Sequence, residues 1–345
     1  MTRSTGKRPV IIAEAGVNHN GRRDLALRLV DAAADAGADL VKFQAFSADT
    51  LASDASPAAS YQRERTGASA QRAMLKALEL SADDFAAVAA HCRSRGIGFL
   101  CTPFDVEQLD ALIALGMPAV KVASGELTNH PALRRFGASG LPVYLSTGMA
   151  TLAEVRAALD ALRAAGAGEV TALHCTSLYP APPETLNLAA IATLREALAT
   201  PVGYSDHSLG AHMAVAATAL GACVIEKHLT LDRAMQGPDH AASLEPEPFA
   251  RMVREIHEVA AALGDGEKRP HPLEAETAYV ARRSWHATRD LPVGAVLGAG
   301  DMALLRPAAG APGDRALEGR RLLAPVAAGA PIREDALAPD AGNGP

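Results

Sequence analysis

The chain repeats one pattern eight times: a short apolar run rich in β-branched residues, then a longer stretch whose apolar positions recur at helical spacing. The apolar runs occupy residues 10–13, 40–43, 98–101, 119–122, 143–145, 170–174, 201–204 and 223–227. Amphipathic stretches at 24–36, 83–95, 107–115, 152–164 and 211–220 lie between them, and Gly or Gly-Ala steps near 37, 96, 116, 140, 165 and 221 suit helix C-caps. Strands that alternate with helices pair in parallel, because a parallel partner is reached only by a crossover long enough to hold a helix. Eight such units within roughly 260 residues match a closed (β/α)8 barrel of the α/β class better than an open doubly wound sheet. Residues 48–82 interrupt the rhythm after the second strand and read as a long βα loop with a short helix.

The rhythm stops near residue 263, so the barrel is assigned to residues 1–263. Residues 264–280 are polar with two prolines and read as a linker. Residues 281–340 change to short strands and Gly/Pro turns, the composition of a small β-rich domain, and the tail 339–345 is expected to be disordered. A net charge of −6 without long single-sign runs argues against nucleic acid as the main partner, while leaving room for a local positive pocket. No run approaches the about 18 uncharged apolar residues of a membrane span, and the first residues lack a signal peptide's apolar region, so a cytoplasmic protein is expected. Cys92, Cys101, Cys175 and Cys223 are far apart within apolar or strand-like segments and read as buried reduced thiols.

In a closed parallel barrel the carboxyl ends of the strands face the active site, so polar residues there read as functional. Every strand ends in them. The first gives Glu14, then Asn18-His19-Asn20; the second Lys42 and Gln44; the third Thr102 and Asp105; the fourth Lys121, Ser124 and Glu126. The fifth gives Ser146 and Thr147; the sixth His174, Thr176, Ser177 and Tyr179; the seventh Ser205-Asp206-His207; the eighth Glu226-Lys227-His228. Burying a lysine charge costs several kcal/mol unless it is paired. Lys42 and Lys121, read as closing neighbouring strands, therefore call for a phosphorylated or carboxylated substrate among the serine hydroxyls, or for structural pairing with Glu14 or Glu126. His207 and His228 close adjacent strands and could share a divalent metal, although a buried histidine is more often a hydrogen-bonded core residue. His19, His174 and His240 compete for the metal role, whereas His91, His130, His212, His257, His271 and His286 read as surface residues.

Taken in order, these segments resemble the sialic acid synthases, which condense phosphoenolpyruvate with an N-acetylated amino sugar. The resemblance rests on Ile12-Ala13-Glu14-Ala15-Gly16-Val17-Asn18-His19-Asn20-Gly21, Val41-Lys42-Phe43-Gln44, Thr102-Pro103-Phe104 and Lys121-Val122-Ala123-Ser124-Gly125-Glu126. It continues through Ser146-Thr147-Gly148-Met149, Leu173-His174-Cys175-Thr176-Ser177-Leu178-Tyr179-Pro180, Gly203-Tyr204-Ser205-Asp206-His207, Glu226-Lys227-His228 and Gly237-Pro238-Asp239-His240. The piece from Arg283-Ser284 to Ile332-Arg333 resembles the antifreeze-like (SAF) domain appended to these synthases, and the segment around Tyr61-Gln62 and Met74-Leu75 resembles the bacterial branch.

The resemblance implies that His207 and His228 bind Mn2+ or Mg2+ and that Lys42, Thr102, Lys121, Ser124, Ser146, Ser177 and Ser205 hold phosphoenolpyruvate. Some relatives carry asparagine where Ser177 stands; serine keeps a donor on a shorter arm. Glu14 is implied as the catalytic group for water, and Gln44, Tyr179 and Asp239 as contacts for the sugar. Arg306 is implied to reach the sugar from the other subunit of a domain-swapped homodimer. The acceptor expected first is of the N-acetylmannosamine type. The alternative is a 2,4-diacetamido-trideoxyhexose leading to legionaminic or pseudaminic acid, with a surface-polysaccharide synthase of the same type also open. A non-catalytic carbohydrate-binding protein is the remote alternative.

Overall fold

The structure is a computed structural model that describes residues 8–53, 55–68 and 70–339. The expected tail at 340–345 lies outside the described residues. Two compact units divide the chain, Met1–Gly266 and Glu267–Pro345.

The first unit is a ring of eight parallel strands: β1 (Val10–Gly16), β2 (Leu40–Ala45), β3 (Gly98–Pro103), β4 (Val120–Val122), β5 (Val143–Ser146), β6 (Val170–Cys175), β7 (Val202–Asp206) and β8 (Val224–His228). They run in the order β3-β2-β1-β8-β7-β6-β5-β4, and β3 lies against β4, which closes the (β/α)8 barrel. Side chains alternate along each strand. Outward residues such as Val41, Phe43, Val120, Val122 and Ile225 pack under the helices as one core. Local sequence sets the helix starts. Ser81 and Asp84 cap Ala82–Arg95 reciprocally, and Thr151 and Glu154 do the same for Leu152–Ala164. Asn129 caps His130–Gly137 through the amide of Ala132, with proline in its first turn.

The excursion after β2 holds three short helices rather than one: Ala48–Leu51, Ser60–Thr66 and Gln71–Lys76. Val17, Phe46, Met74 and Leu78 form a separate apolar cluster that fixes it over the strand ends. Among the described residues no helix is long and apolar enough to cross a membrane.

In the second unit a helix, Ala275–Ala281, occupies part of the stretch read as a linker. It is followed by antiparallel strands β9 (Ser284–Ala287) and β10 (Met302–Leu305), with Trp285 opposite Leu304. This unit has its own core of Ala287, Leu291, Leu297, Met302, Leu322 and Ile332, against which Trp285 packs while its indole N–H donates to the Arg315 carbonyl at 2.9 Å. Two expectations need correction. Cys223 is exposed, because it precedes β8 at the amino-terminal rim, whereas Cys92, Cys101 and Cys175 are buried. His286 is buried rather than superficial, since it lies within β9 with its Nδ1 on the Ser284 carbonyl.

Candidate active site

The inward faces at the carboxyl ends of the strands carry a polar layer beneath a cavity of about 420 Å³. Glu14, Lys42, Gln44, Thr102, Lys121, Ser124, Ser146, Ser177, Tyr179, Ser205, His207, His228 and Asp239 all line it. Arg306 does not belong to this unit; it follows β10 in the second one and is exposed.

The two lysines are not on neighbouring strands as expected, because β3 separates β2 from β4. They are joined through Glu226, a residue that the sequence marked as a strand end without giving it a role. Lys42 Nζ lies 2.5 Å from Glu14 Oε2, 3.2 Å from Thr102 Oγ1 and 3.9 Å from Glu226 Oε2. Lys121 Nζ donates to Ser146 Oγ at 2.8 Å and stands 3.6 Å from Glu226 Oε1, which also accepts from Ser205 Oγ at 2.8 Å. Glu126 takes no part; its carboxylate accepts from Asn129 at 2.7 Å. Gln44 Nε2 donates to Glu14 Oε1 at 2.7 Å.

Burial fixes the electrostatics of this layer. It pushes the Glu14 carboxyl up, against the pull of Lys42. For Glu226 burial also opposes the charge, but Lys121, Lys42 and the Ser205 hydroxyl outweigh it and bring the carboxyl down to about 2. Burial lowers Lys121, partly offset by Glu226, while for Lys42 the nearby Glu14 and Glu226 overcome burial and raise it. Two ammonium groups are thus held charged by carboxylates, in the place where the oxygens of an anionic ligand would lie.

Glu226→Gln is expected to lower the stability of the ligand-free protein by about 3–5 kcal/mol, because Lys121 loses its nearest anion in a dry site. Added inorganic phosphate should recover much of that loss in a thermal melt. A melt unchanged by the substitution would show that the network is not the counter-charge of Lys121.

Across the cavity stand the two histidines, their ring centroids 5.4 Å apart. His207 Nδ1 donates to the Thr176 carbonyl at 2.7 Å, which leaves Nε2 with its lone pair. Burial lowers the basicity of both rings, and the nearby His207 lowers His228 further, so both are neutral imidazoles. His228 Nδ1 is buried with no hydrogen-bond partner and lies 3.9 Å from Asp239 Oδ2. Burial, then the charge of Glu14, raises the Asp239 carboxyl to about 7. Tyr179 covers both rings at 4.2 Å and 5.9 Å and stacks on Tyr61 at 5.4 Å.

The implied divalent ion fits this pair: two cavity-lining imidazoles stand side by side, one with an unpartnered ring nitrogen and the other oriented by its outer hydrogen bond. Among the described residues no group of three or more His, Cys, Asp or Glu side chains could hold a metal. Further positions on such an ion would fall to substrate or water oxygens. The competing histidines lie outside the cavity lining. His19 Nδ1 accepts from the Gly21 amide at 3.1 Å and its Nε2 is buried without a partner, but the residue does not line the cavity; His174 donates to the Leu186 carbonyl at 2.7 Å, and His240 sits between Thr230 and Asn20.

The serine side of the cavity depends on one glycine. The Gly148 amide donates to Ser124 Oγ at 3.0 Å, and a Cβ there would fall 2.3 Å from Ser177 Oγ and 2.9 Å from Ser124 Oγ. Any side chain at this position would push both hydroxyls from their places. The opposite wall is apolar, built from Val17, Met74, Leu75, Leu78, Phe104 and Pro238, with Tyr61 and Gln62 at its edge. Half of that wall, Met74, Leu75 and Leu78, comes from the 48–82 excursion, to which the sequence pattern gave no site role.

Residues 29–268 match the NeuB family and residues 282–338 match the SAF domain. The chain is 46% identical over 305 residues to the N,N'-diacetyllegionaminic acid synthase of Legionella pneumophila, covering 87% of this chain and 86% of that protein. It is 44% identical over 307 residues to the N,N'-diacetyllegionaminic acid synthase of Campylobacter jejuni, covering 88% and 92%. Among solved structures it is similar to the N-acetylneuraminic acid (sialic acid) synthetase of Leptospira borgpetersenii, with a TM-score of 0.72 and 36% identity over 79% of this chain and 90% of that one.

Proposed function

Starting from a chain that belongs to the NeuB family, we propose that it condenses phosphoenolpyruvate with a 2,4-diacetamido-trideoxyhexose to give a legionaminic acid and phosphate. The observation that carries the reaction type is the facing of two countered lysines and two neutral histidines across one cavity. The names of the two bacterial relatives favour this acceptor over the N-acetylmannosamine type expected first. The apolar wall also favours it, because a trideoxy, diacetamido sugar presents methyl groups where N-acetylmannosamine presents hydroxyls.

Lys42, Thr102, Lys121, Ser124, Ser146, Ser177 and Ser205 hold the carboxylate and phosphate of phosphoenolpyruvate, the anion taking over contacts that Glu14 and Glu226 make in its absence. Gln44, Tyr179 and Asp239 hold the sugar. His207 and His228 hold Mn2+ or Mg2+, which when bound polarises the acceptor's aldehyde oxygen as a Lewis acid. C3 of phosphoenolpyruvate forms the new bond to the aldehyde carbon, C2 is left electron-poor, and the former aldehyde oxygen becomes a hydroxyl with the proton that Glu14 takes from water. Glu14 takes a proton from the water that adds to C2. The bond from C2 to the phosphate ester oxygen then breaks, phosphate leaves with the bonding pair and takes the proton of the C2 hydroxyl, and a 2-keto-3-deoxy acid remains. Fixed lysines and hydroxyls supply positioning and charge complementarity throughout. In the swapped homodimer that the family implies, Arg306 of one copy closes over the sugar bound by the other.

Phosphate release from phosphoenolpyruvate, measured with Mn2+ and a panel of amino sugars, tests the reading. The trideoxy sugar is expected to give the highest kcat/KM. A preference for N-acetylmannosamine would move the protein to the sialic acid reading, which the Leptospira likeness supports. If no sugar of the panel elicits phosphate release, a carbohydrate-binding role is revived. Met74→Gln keeps the side chain's length but places an amide in the apolar wall. It should cut the preference for the trideoxy sugar about tenfold and leave KM for phosphoenolpyruvate unchanged.

A further inference from the structure

The two strand ends that carry His207 and His228 are tied together, on the side away from the cavity, by a second and fully buried charge pair. Strands β7 and β8 run in register, Ser205 opposite Glu226 and Asp206 opposite Lys227. Side chains alternate, so Ser205 and Glu226 face the cavity while Asp206 and Lys227 turn away from it. Both of the latter side chains are 0% exposed, with Lys227 Nζ 2.8 Å from Asp206 Oδ2. The same ammonium donates to the Ser208 carbonyl at 2.5 Å. Asp206 Oδ1 accepts from the Ser208 amide at 2.9 Å, from Ser208 Oγ at 2.7 Å and from the Tyr204 hydroxyl at 3.2 Å.

His207 is therefore bracketed: the residues before and after it are both bound to Lys227, and Lys227 is the residue before His228. A well-packed apolar pair could hold two strands together without burying charge. It could not grip the main chain of Ser208 through both its amide and its carbonyl. Nothing in the condensation chemistry uses Asp206 or Lys227 directly, since neither lines the cavity. We propose that Asp206, Lys227 and Ser208 form a positioning clamp that sets the spacing and facing of His207 and His228, and through them the affinity of the site for a divalent cation. The clamp rests on the reading of those two histidines as metal ligands.

The test titrates Mn2+ alone into the full-length apoprotein, with the free ion followed by electron paramagnetic resonance, beside a thermal melt. The double variant Asp206→Asn, Lys227→Met removes both charges together and so leaves neither unpaired. It is expected to fold, to keep the wild-type stoichiometry and to bind Mn2+ about 10–100-fold more weakly. A purely structural role would lower the melting temperature or the fraction of competent protein without moving the dissociation constant. Wild-type Mn2+ affinity in the folded double variant overturns the clamp. If the double variant does not fold, Lys227→Met decides, since it frees the Ser208 carbonyl while Asp206 keeps its Ser208 and Tyr204 donors: weaker Mn2+ binding by the folded protein supports the clamp, and unchanged binding overturns it. Absence of Mn2+ binding by the wild-type protein overturns the metal reading, and the clamp with it.

Discussion

Glu14→Gln is expected to lower kcat by two to four orders of magnitude, the usual contribution of a positioned general base, with KM for phosphoenolpyruvate unchanged or reduced. The substitution keeps the shape of the side chain and an oxygen that can accept from Gln44. It removes the negative charge 2.5 Å from Lys42. In the free protein Lys42 still has Thr102 and, at 3.9 Å, Glu226. In the complex the substrate anion supplies the missing charge, so binding should not suffer. Only the step that needs a proton acceptor near C2 should fail. Steady-state phosphate release together with phosphoenolpyruvate binding separates the two quantities. Near-normal turnover would reduce Glu14 to a counter-ion for Lys42.

His207→Ala and His228→Ala are each expected to cost at least about a thousandfold in turnover, equivalent to roughly 4 kcal/mol of barrier. Chelation of the wild-type protein should have the same effect and be reversed by Mn2+, whereas neither variant should be rescued. The reason lies in the ligand-free geometry. His228 Nδ1 has no hydrogen-bond partner within the protein, so the imidazole is not committed to a structural contact on that side. Full activity of either variant in chelator-treated protein would remove the metal from the reaction.

Much of this was legible in the sequence because strand ends in a barrel converge. Glu14, Lys42, Thr102, Lys121, Ser146, Ser205 and His228 are far apart in the chain, yet each sits on an inward face, so eight local patterns were enough to gather them. Glu226 was not legible as the hub. In the run Glu226-Lys227-His228 any residue could face inward, and only the pairing of Ser205 with Glu226 decides it. For the same reason Asp206 and Lys227 looked like ordinary rim polarity and proved to face away from the cavity. The relation between Lys42 and Lys121 was misread, since strand order around a ring is a property of closure and leaves no mark on either segment. The apolar wall was hidden in a loop whose short helices are held by contacts with Val17 and Phe46 from other parts of the chain, not by their own periodicity.

The placement of aromatic residues gives this chain a practical property. Trp285 is the only tryptophan in the sequence, and it packs on the core of the second unit. Four of the five tyrosines, Tyr61, Tyr144, Tyr179 and Tyr204, belong to the barrel. Emission excited at the red edge of the absorption band therefore follows the small unit alone, while tyrosine signals and far-ultraviolet dichroism follow mainly the barrel. One sample, heated once, records the melting of each unit on its own optical channel, without a label or a cut in the chain.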